Sequence, residues 1–540
     1  MLPSNPDGAL TTTDGLRGVP AFALHIKHGP QAGPRIQHSL GLTLLLHLER
    51  AKTWLAALYS CRTGGKDISW RQKIPSRNVV YPFALVTSLF FLWGFAYGLL
   101  DVLNKHFQNT LGITKLQSTG LQIAYFGVGY FAFSPVAGEV LRRRGYKFTI
   151  IMGLAFYSVG AILFWPCAKF AGESNKKAVF GGFVVCTAVI ACGLASLETA
   201  ANSYITCLPG TEPSGAAFRL QLSQSFNGIA SFAGPFIASK YFFSGDNANN
   251  LTNVQWVYLA VALMGAFVAF LFAITKLPET SEAELEKQAQ ASAEMSGIDA
   301  TTDQPFYKQY RAFFGWLAQF MYVGAQVTIG SFFINYGAEA VGWSDAKTSN
   351  FLSYALIMFT IGRFVGLVFL AIWPAELLVG LWSIACFILI TCTTFLRGKA
   401  GMACLMTVMF FEAPLFPCIF VISTKGMGRH TRRAASLLIS AVGGGAVFPP
   451  IQGAIADAHG TRISYAINIP AFLYIAGFSL FLWFRHGGHF SLREEPISKA
   501  EPALEAARTN SVGLPRTQTP DSKRLDEKAD VDVFEEKEKA

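Results

Sequence analysis

Charge is scarce in this chain: of 540 residues only 14% are Asp, Glu, Lys or Arg, while 52% are hydrophobic and 47 are phenylalanine. That balance excludes an ordinary soluble enzyme. The nine cysteines form no C-x-x-C pair and no histidine cluster stands near them, so neither a disulfide framework nor a metal site is expected. No Ser-His-Asp set is apparent. The triplet Gly443-Gly444-Gly445 lacks the Lys-Ser/Thr of a phosphate loop. Gly127-Val128-Gly129-Tyr130-Phe131-Ala132 fits the dinucleotide pattern G-x-G-x-x-A, but it lies inside a long apolar run without a strand-turn-helix unit. Hydrolysis and ATP-driven work lose support, and no cofactor is expected beyond a proton as coupling ion.

What the chain does have is long apolar runs. About 20 apolar residues cross the hydrocarbon of a bilayer, and runs of that size occur at 81–104, 118–140, 147–169, 178–207, 217–240, 254–276, 309–336, 348–371, 377–396, 400–424, 434–456 and 463–484. The expected fold is an all-α integral membrane protein with twelve transmembrane helices in two six-helix bundles. The bundles occupy 79–276 and 309–485, joined by a polar cytoplasmic linker at 277–308. Residues 1–78 read as a disordered cytoplasmic extension, and 486–540, charged and poor in aromatics, as a disordered cytoplasmic tail. Met1 is followed by Pro, Asn and Asp rather than a basic and then apolar run, so a cleavable signal peptide is not expected.

The net charge of +10 does not form a nucleic-acid face, because the bases flank membrane spans. Arg142, Arg143, Arg144 and Lys147 separate spans two and three, and Lys425, Arg429, Arg432 and Arg433 separate ten and eleven. The positive-inside rule then puts both termini in the cytoplasm. The sequon Asn250-Leu251-Thr252 falls on the outer side, a candidate glycosylation site. A multi-pass protein of the plasma membrane, monomeric in its bilayer, is expected.

The two halves repeat. A constant offset of 214 aligns Glu198 with Glu412, Arg219 with Arg433, Pro235 with Pro449 and Ile237 with Ile451. Such halves are related by an axis along the membrane normal, with a substrate site where they meet. Ionisable residues within the spans are few: Asp101, Glu139, Glu198, Arg363 and Glu412. A charge at that depth is costly and marks an ion or substrate path. A carboxyl group withdrawn from water takes up a proton more readily than one in water, the chemistry a proton-coupled carrier needs. Asp101 and Glu198 are therefore the candidate proton-coupling acids. Each also has a bland reading as a structural ion pair or hydrogen-bonded anchor.

Amides and hydroxyls suited to a polyhydroxylated ligand surround them: Asn202, one turn beyond Glu198, Gln221, and Gln224 and Asn227, three apart on one helix face, with Gln319, Tyr322 and Gln326 in the second half. With Glu198 and Glu412 these, Gln221 apart, are the candidate substrate-binding residues, against the alternative that each merely bonds one helix to another. Arg142, Arg143, Arg144, Arg219, Arg363 and Arg433 are the candidate gating residues.

Several segments together resemble the fucose:proton symporters of the major facilitator superfamily: "SLFFLWGFAYGLLDVL" (88–103), "AILFWP" (161–166), "LETAAN" (197–202), "FRLQLSQSFN" (218–227), "LAQFMYVGAQ" (317–326), "IGRFVG" (361–366) and "VGGGAVFPPIQGAIAD" (442–457). The resemblance implies an alternating-access carrier coupling inward proton flow to uptake of a monosaccharide of the fucose, galactose or glucose class. It assigns function to the acid of span one and the LETAAN glutamate, here Asp101 and Glu198, and places Gln224 and Asn227 in the sugar cavity. Departures are the absence of asparagines just before Asp101, Gly330 where an aromatic is expected, and the additional Glu412. Two other readings stand beside this one: a proton-antiport exporter of a metabolite or toxin, favoured by "ASFAGPFIAS" (230–239), and a non-transporting sugar receptor.

Overall fold

The computed structural model describes residues 80–95, 120–170, 176–208, 215–242, 252–278, 283, 285–286, 304–488 and 490. Asp101, Asn250, the 1–78 extension and all but residue 490 of the tail beyond 488 lie outside them. Nine helices among the described residues are long and apolar enough to cross a membrane. One, Gly120–Lys169, is 50 residues long and comprises the second and third spans. The shorter apolar helix Val80–Phe95 and the helix Ala216–Phe242 fall in the first and fifth runs, so each of the twelve runs carries a helix among the described residues. Lipid offers the backbone no partners, so each apolar run closes its own hydrogen bonds as a helix.

The first span is Val80–Phe95, and the second and third are joined in Gly120–Lys169. The others of the first half are Lys176–Thr206 (fourth), Ala216–Phe242 (fifth) and Thr252–Ile274 (sixth). The second half follows with Tyr310–Ser331 (seventh), Asp345–Leu370 (eighth) and Ala375–Phe395 (ninth). The tenth and eleventh spans are each in two pieces, Lys399–Glu412 with Leu415–Thr424 and Thr431–Ser440 with Gly444–His459, and the twelfth is Asn468–Arg485. Between spans two and three the backbone turns at Gly145, with φ 81° and ψ 179°. That conformation is open essentially to glycine alone, which is why "RRRGYK" bends there.

Lipid-facing and core-facing stripes separate at helical spacing. In the sixth span Leu263, Phe267, Phe270 and Ile274 are exposed, whereas Tyr258, Val261, Ala262 and Phe272 are buried. Within the first half, small residues bring spans three and four to backbone contact: a Cβ on Gly153 would meet the Gly193 carbonyl, and one on Gly193 the Gly153 carbonyl and the Tyr157 amide. This packing fixes the height and rotation of the fourth span, which carries Glu198.

The halves meet along two seams. On one, Gly443 leaves room for the Phe131 side chain and Gly445 for the Phe126 ring, and nearer the basic end Gly138 lies against Ser436 while the Arg432 guanidinium sits 5.0 Å from the Tyr146 ring. On the other, the eighth span packs on the fifth through Gly228, which faces Thr360 and the Arg363 stem. At the ends of the second half, buried Glu376 gathers His486 Nδ1 at 3.3 Å, Lys425 Nζ at 3.8 Å and an Arg311 nitrogen at 3.9 Å. Those bases come from the start of span seven and the ends of ten and twelve, so these ends lie on one side, as alternating crossings require.

Candidate functional site

Glu198 is buried on the fourth span, with the Tyr130 hydroxyl and Asn202 facing its carboxyl group and Oε2 left without a hydrogen bond. Tyr130 belongs to the π-helical stretch Ile123–Ala132 of span two. Its hydroxyl accepts from Trp93 Nε1 of the first span. Three spans thus converge on one acid. The G-x-G-x-x-A match is part of this helix, and its glycines serve packing: a Cβ on Gly129 would overlap Ala191 of the fourth span.

Opposite stands Arg363, 4% exposed. Its Nη1 donates to the Gln224 carbonyl at 2.7 Å and to Gln224 Oε1 at 3.1 Å, while its own carbonyl accepts from Gln221 Nε2 at 2.8 Å. Its guanidinium lies 4.8 Å from the Phe359 ring, and Nε has no partner. The arginine interacts electrostatically with both Glu198 and Glu412 and with Tyr322. From the sequence it reads as a gating residue near a span end; in the structure it is a cation enclosed between the halves.

Glu412 is fully buried, and neither carboxylate oxygen has a hydrogen-bond partner. It ends the helix Lys399–Glu412, and the next piece of the span begins at Leu415. The fourth span continues unbroken through the corresponding position because it has Ala200 where the tenth has Pro414, which lacks an N–H for the helix ladder. The eighth span approaches this break through bare backbone: a Cβ on Gly362 would collide with the Phe410 carbonyl, and one on Gly366 would press on Pro414. The two glycines of "IGRFVG" therefore bring Arg363 close to Glu412. Gly362→Val is expected to destabilise the protein by ~1–3 kcal/mol through overpacking, read as a lower melting temperature. Gly477→Ala, where an added Cβ meets nothing within 4 Å, should leave it unchanged.

The predicted amides divide into two groups. Gln221 and Gln224 are engaged by Arg363, and Asn227 Nδ2 donates to the Phe90 carbonyl at 3.2 Å, tying span five to span one. Asn202, beside the Glu198 carboxyl group, and Gln319 are fully buried, and among the described residues neither makes a side-chain hydrogen bond of ordinary geometry, so they retain hydrogen-bonding capacity for a ligand. Tyr322 donates to the Glu412 carbonyl at 3.1 Å, and Gln326 is half-buried. Gln452 and Asn468, which the sequence reading passed over, are also fully buried; Gln452 has both amide atoms unpaired, and Asn468 keeps only its Oδ1 engaged, by Thr328 at 3.1 Å. Gly330 has open space at its Cβ.

Of the arginines expected to gate, Arg142 and Arg143 bind Glu139 at 2.7 and 2.5 Å, and exposed Arg144 lies over Phe148. Arg219 is buried and donates to the Ile205 and Thr206 carbonyls, closing the end of the fourth span. Arg433 is exposed, and its neighbour Arg432 makes the contact across the seam. Among the described residues no group of His, Cys, Asp and Glu could hold a metal ion.

The family profile of the Major Facilitator Superfamily matches residues 86–447. A glucose/galactose transporter of Brucella abortus (strain 9-941) is 32% identical over 411 residues, covering 74% of this chain and 94% of that protein. The L-fucose-proton symporter of Escherichia coli (strain K12) is 31% identical over 432 residues, 76% of this chain and 94% of its own length. The fold is similar to the crystal structure of FucP, a transporter of that superfamily in the outward conformation, with a TM-score of 0.64 and 28% identity over 75% of this chain and 99% of that one. The chain is thus a multi-pass membrane transporter of the major facilitator superfamily, and belongs within it to the fucose:proton symporter-like family.

Proposed function

We propose that this protein imports a monosaccharide of the fucose, galactose or glucose class together with protons, by alternating access, as a monomer of the plasma membrane with both termini in the cytoplasm. The observation that carries the reading is a set of buried polar groups on spans four and seven that have no hydrogen-bond partner among the described residues: Glu198 at one oxygen, and the amides of Asn202 and Gln319. Amides donate and accept at once, which matches sugar hydroxyls, and an acid removed from water suits proton exchange. The names of the relatives, L-fucose-proton symporter and glucose/galactose transporter, support the same substrate class. The contacts of Gly138 with Ser436 and of Tyr146 with Arg432 close the basic end, as an outward-open carrier requires.

The purified chain in proteoliposomes is expected to take up labelled fucose, galactose or glucose faster when the outside is made acidic, and to lose that advantage when a protonophore is added. If no sugar responds to the gradient and a lipophilic compound leaves instead, the exporter reading replaces this one.

A further inference from the structure

Among the described residues, two buried acids, one from each repeat, lie within electrostatic reach of one buried arginine. Glu198 and Glu412 are 6% and 0% exposed, and Arg363, which both reach electrostatically, is 4% exposed. One guanidinium balances one carboxylate. With both acids ionised this interior cluster would carry a net negative charge away from water, which is strongly unfavourable. Glu412 has an added disadvantage as an anion: it ends a helix, beside the negative end of the helix dipole.

We propose that Glu198 and Glu412 hold one proton in common, Arg363 pairing with whichever acid is ionised, and that this shared proton is carried in the transport cycle. Among the described residues, the other groups facing the pair do not provide a second cation. Around Glu412 these are Tyr322 of span seven, Cys386 of span nine and Tyr465 just before span twelve. Around Glu198 they are Tyr130 and Asn202. Among the described residues, oxygens on both acids and Arg363 Nε have no hydrogen-bond partner, so while Nη1 stays on Gln224 the guanidinium keeps a donor for either acid. Because Arg363 and Glu412 belong to the second half and Glu198 to the first, a change in the angle between the halves alters how near Glu198 lies to the arginine. A proton can thereby be passed from one half to the other without leaving the cluster.

Infrared spectra of the purified full-length protein test the sharing directly, since a protonated carboxyl group has its own carbonyl stretch. Glu198→Gln and Glu412→Gln are each expected to lose the one such band that the pair gives in the native protein at the same pH, because the remaining acid then has Arg363 to itself and ionises, and Glu198→Gln/Glu412→Gln is expected to lose no more than either; a further loss in the double variant means two independent protons and overturns the shared site. Loss in only one variant, or in neither, overturns the shared site. This readout needs no transport, so it stands apart from the proposed sugar import, on which the second test rests. With the membrane potential held at zero, the sugar gradient that balances a pH difference of about one unit grows about tenfold per proton carried. Glu412→Gln should lower that balance point by about tenfold, whatever its rate. If Glu412→Gln transports at all, an unchanged balance point means that the proton is held but not carried, and overturns the second half of the proposal.

Discussion

Replacing Glu198 by glutamine is expected to abolish gradient-driven sugar accumulation, leaving sugar inside no more concentrated than outside. Glutamine fills nearly the same volume and can still accept from the Tyr130 hydroxyl, so the helix contacts around span four should persist. What it cannot do is exchange a proton. Accumulation against an imposed pH gradient in proteoliposomes is the measurement, and native accumulation would return Glu198 to the role of a structural anchor. The expected effect is all-or-none because a carrier without its coupling acid loses the link between two gradients, not merely a fraction of its rate.

Arg363→Met should be the most damaging single change to stability. It removes the cation between two buried acids and leaves the Gln224 carbonyl and Oε1 without their donor. Breaking a buried ionic arrangement from one side costs ~3–5 kcal/mol. The companion variant Arg363→Met/Glu412→Gln removes one of the stranded acids and should recover about 1 kcal/mol or more as a coupling energy. Thermal melts of the native, single and double variants in detergent give that coupling. A double variant no more stable than Arg363→Met would show that Glu412 does not depend on the arginine. Lysine is not expected to substitute, since a single ammonium does not reproduce the planar donors that reach Gln224 while facing the acids.

The layout of the fold and three of its buried ionic residues are legible in the sequence for the same reason. An apolar run of membrane length leaves few alternatives, and an ionised side chain within it stands out. Glu198, Arg363 and Glu412 stand out in this way, and the offset of 214 pairs the two acids from the sequence alone. The Trp93–Tyr130 support of Glu198 was not legible, because an aromatic residue in an apolar run has the same appearance whether its polar atom bonds an acid or not. Nor could one read which amides are occupied. Gln221, Gln224 and Asn227 differ from Asn202 and Gln319 only in what the neighbouring helices present to them. Arg432 and Arg433 are adjacent in a basic loop, and only the helix rotation decides which reaches Tyr146. Glu376 lies just outside the apolar run at 377–396, yet it is enclosed by three bases from distant ends of the half.

The glycine and phenylalanine contacts between the halves bear on how easily the molecule can move. Where Gly443 and Gly445 meet Phe131 and Phe126, ring lies against bare backbone, and such contact has little angular preference. The opposite seam is directional: Gln221 to the Arg363 carbonyl, Arg363 to the Gln224 carbonyl, and Thr360 to the Gly228 carbonyl at 3.4 Å. The first surface can slip with little friction, whereas the second must exchange named bonds one by one. The roughness of the transport landscape is therefore concentrated along the fifth and eighth helices, beside the arginine that the two acids share.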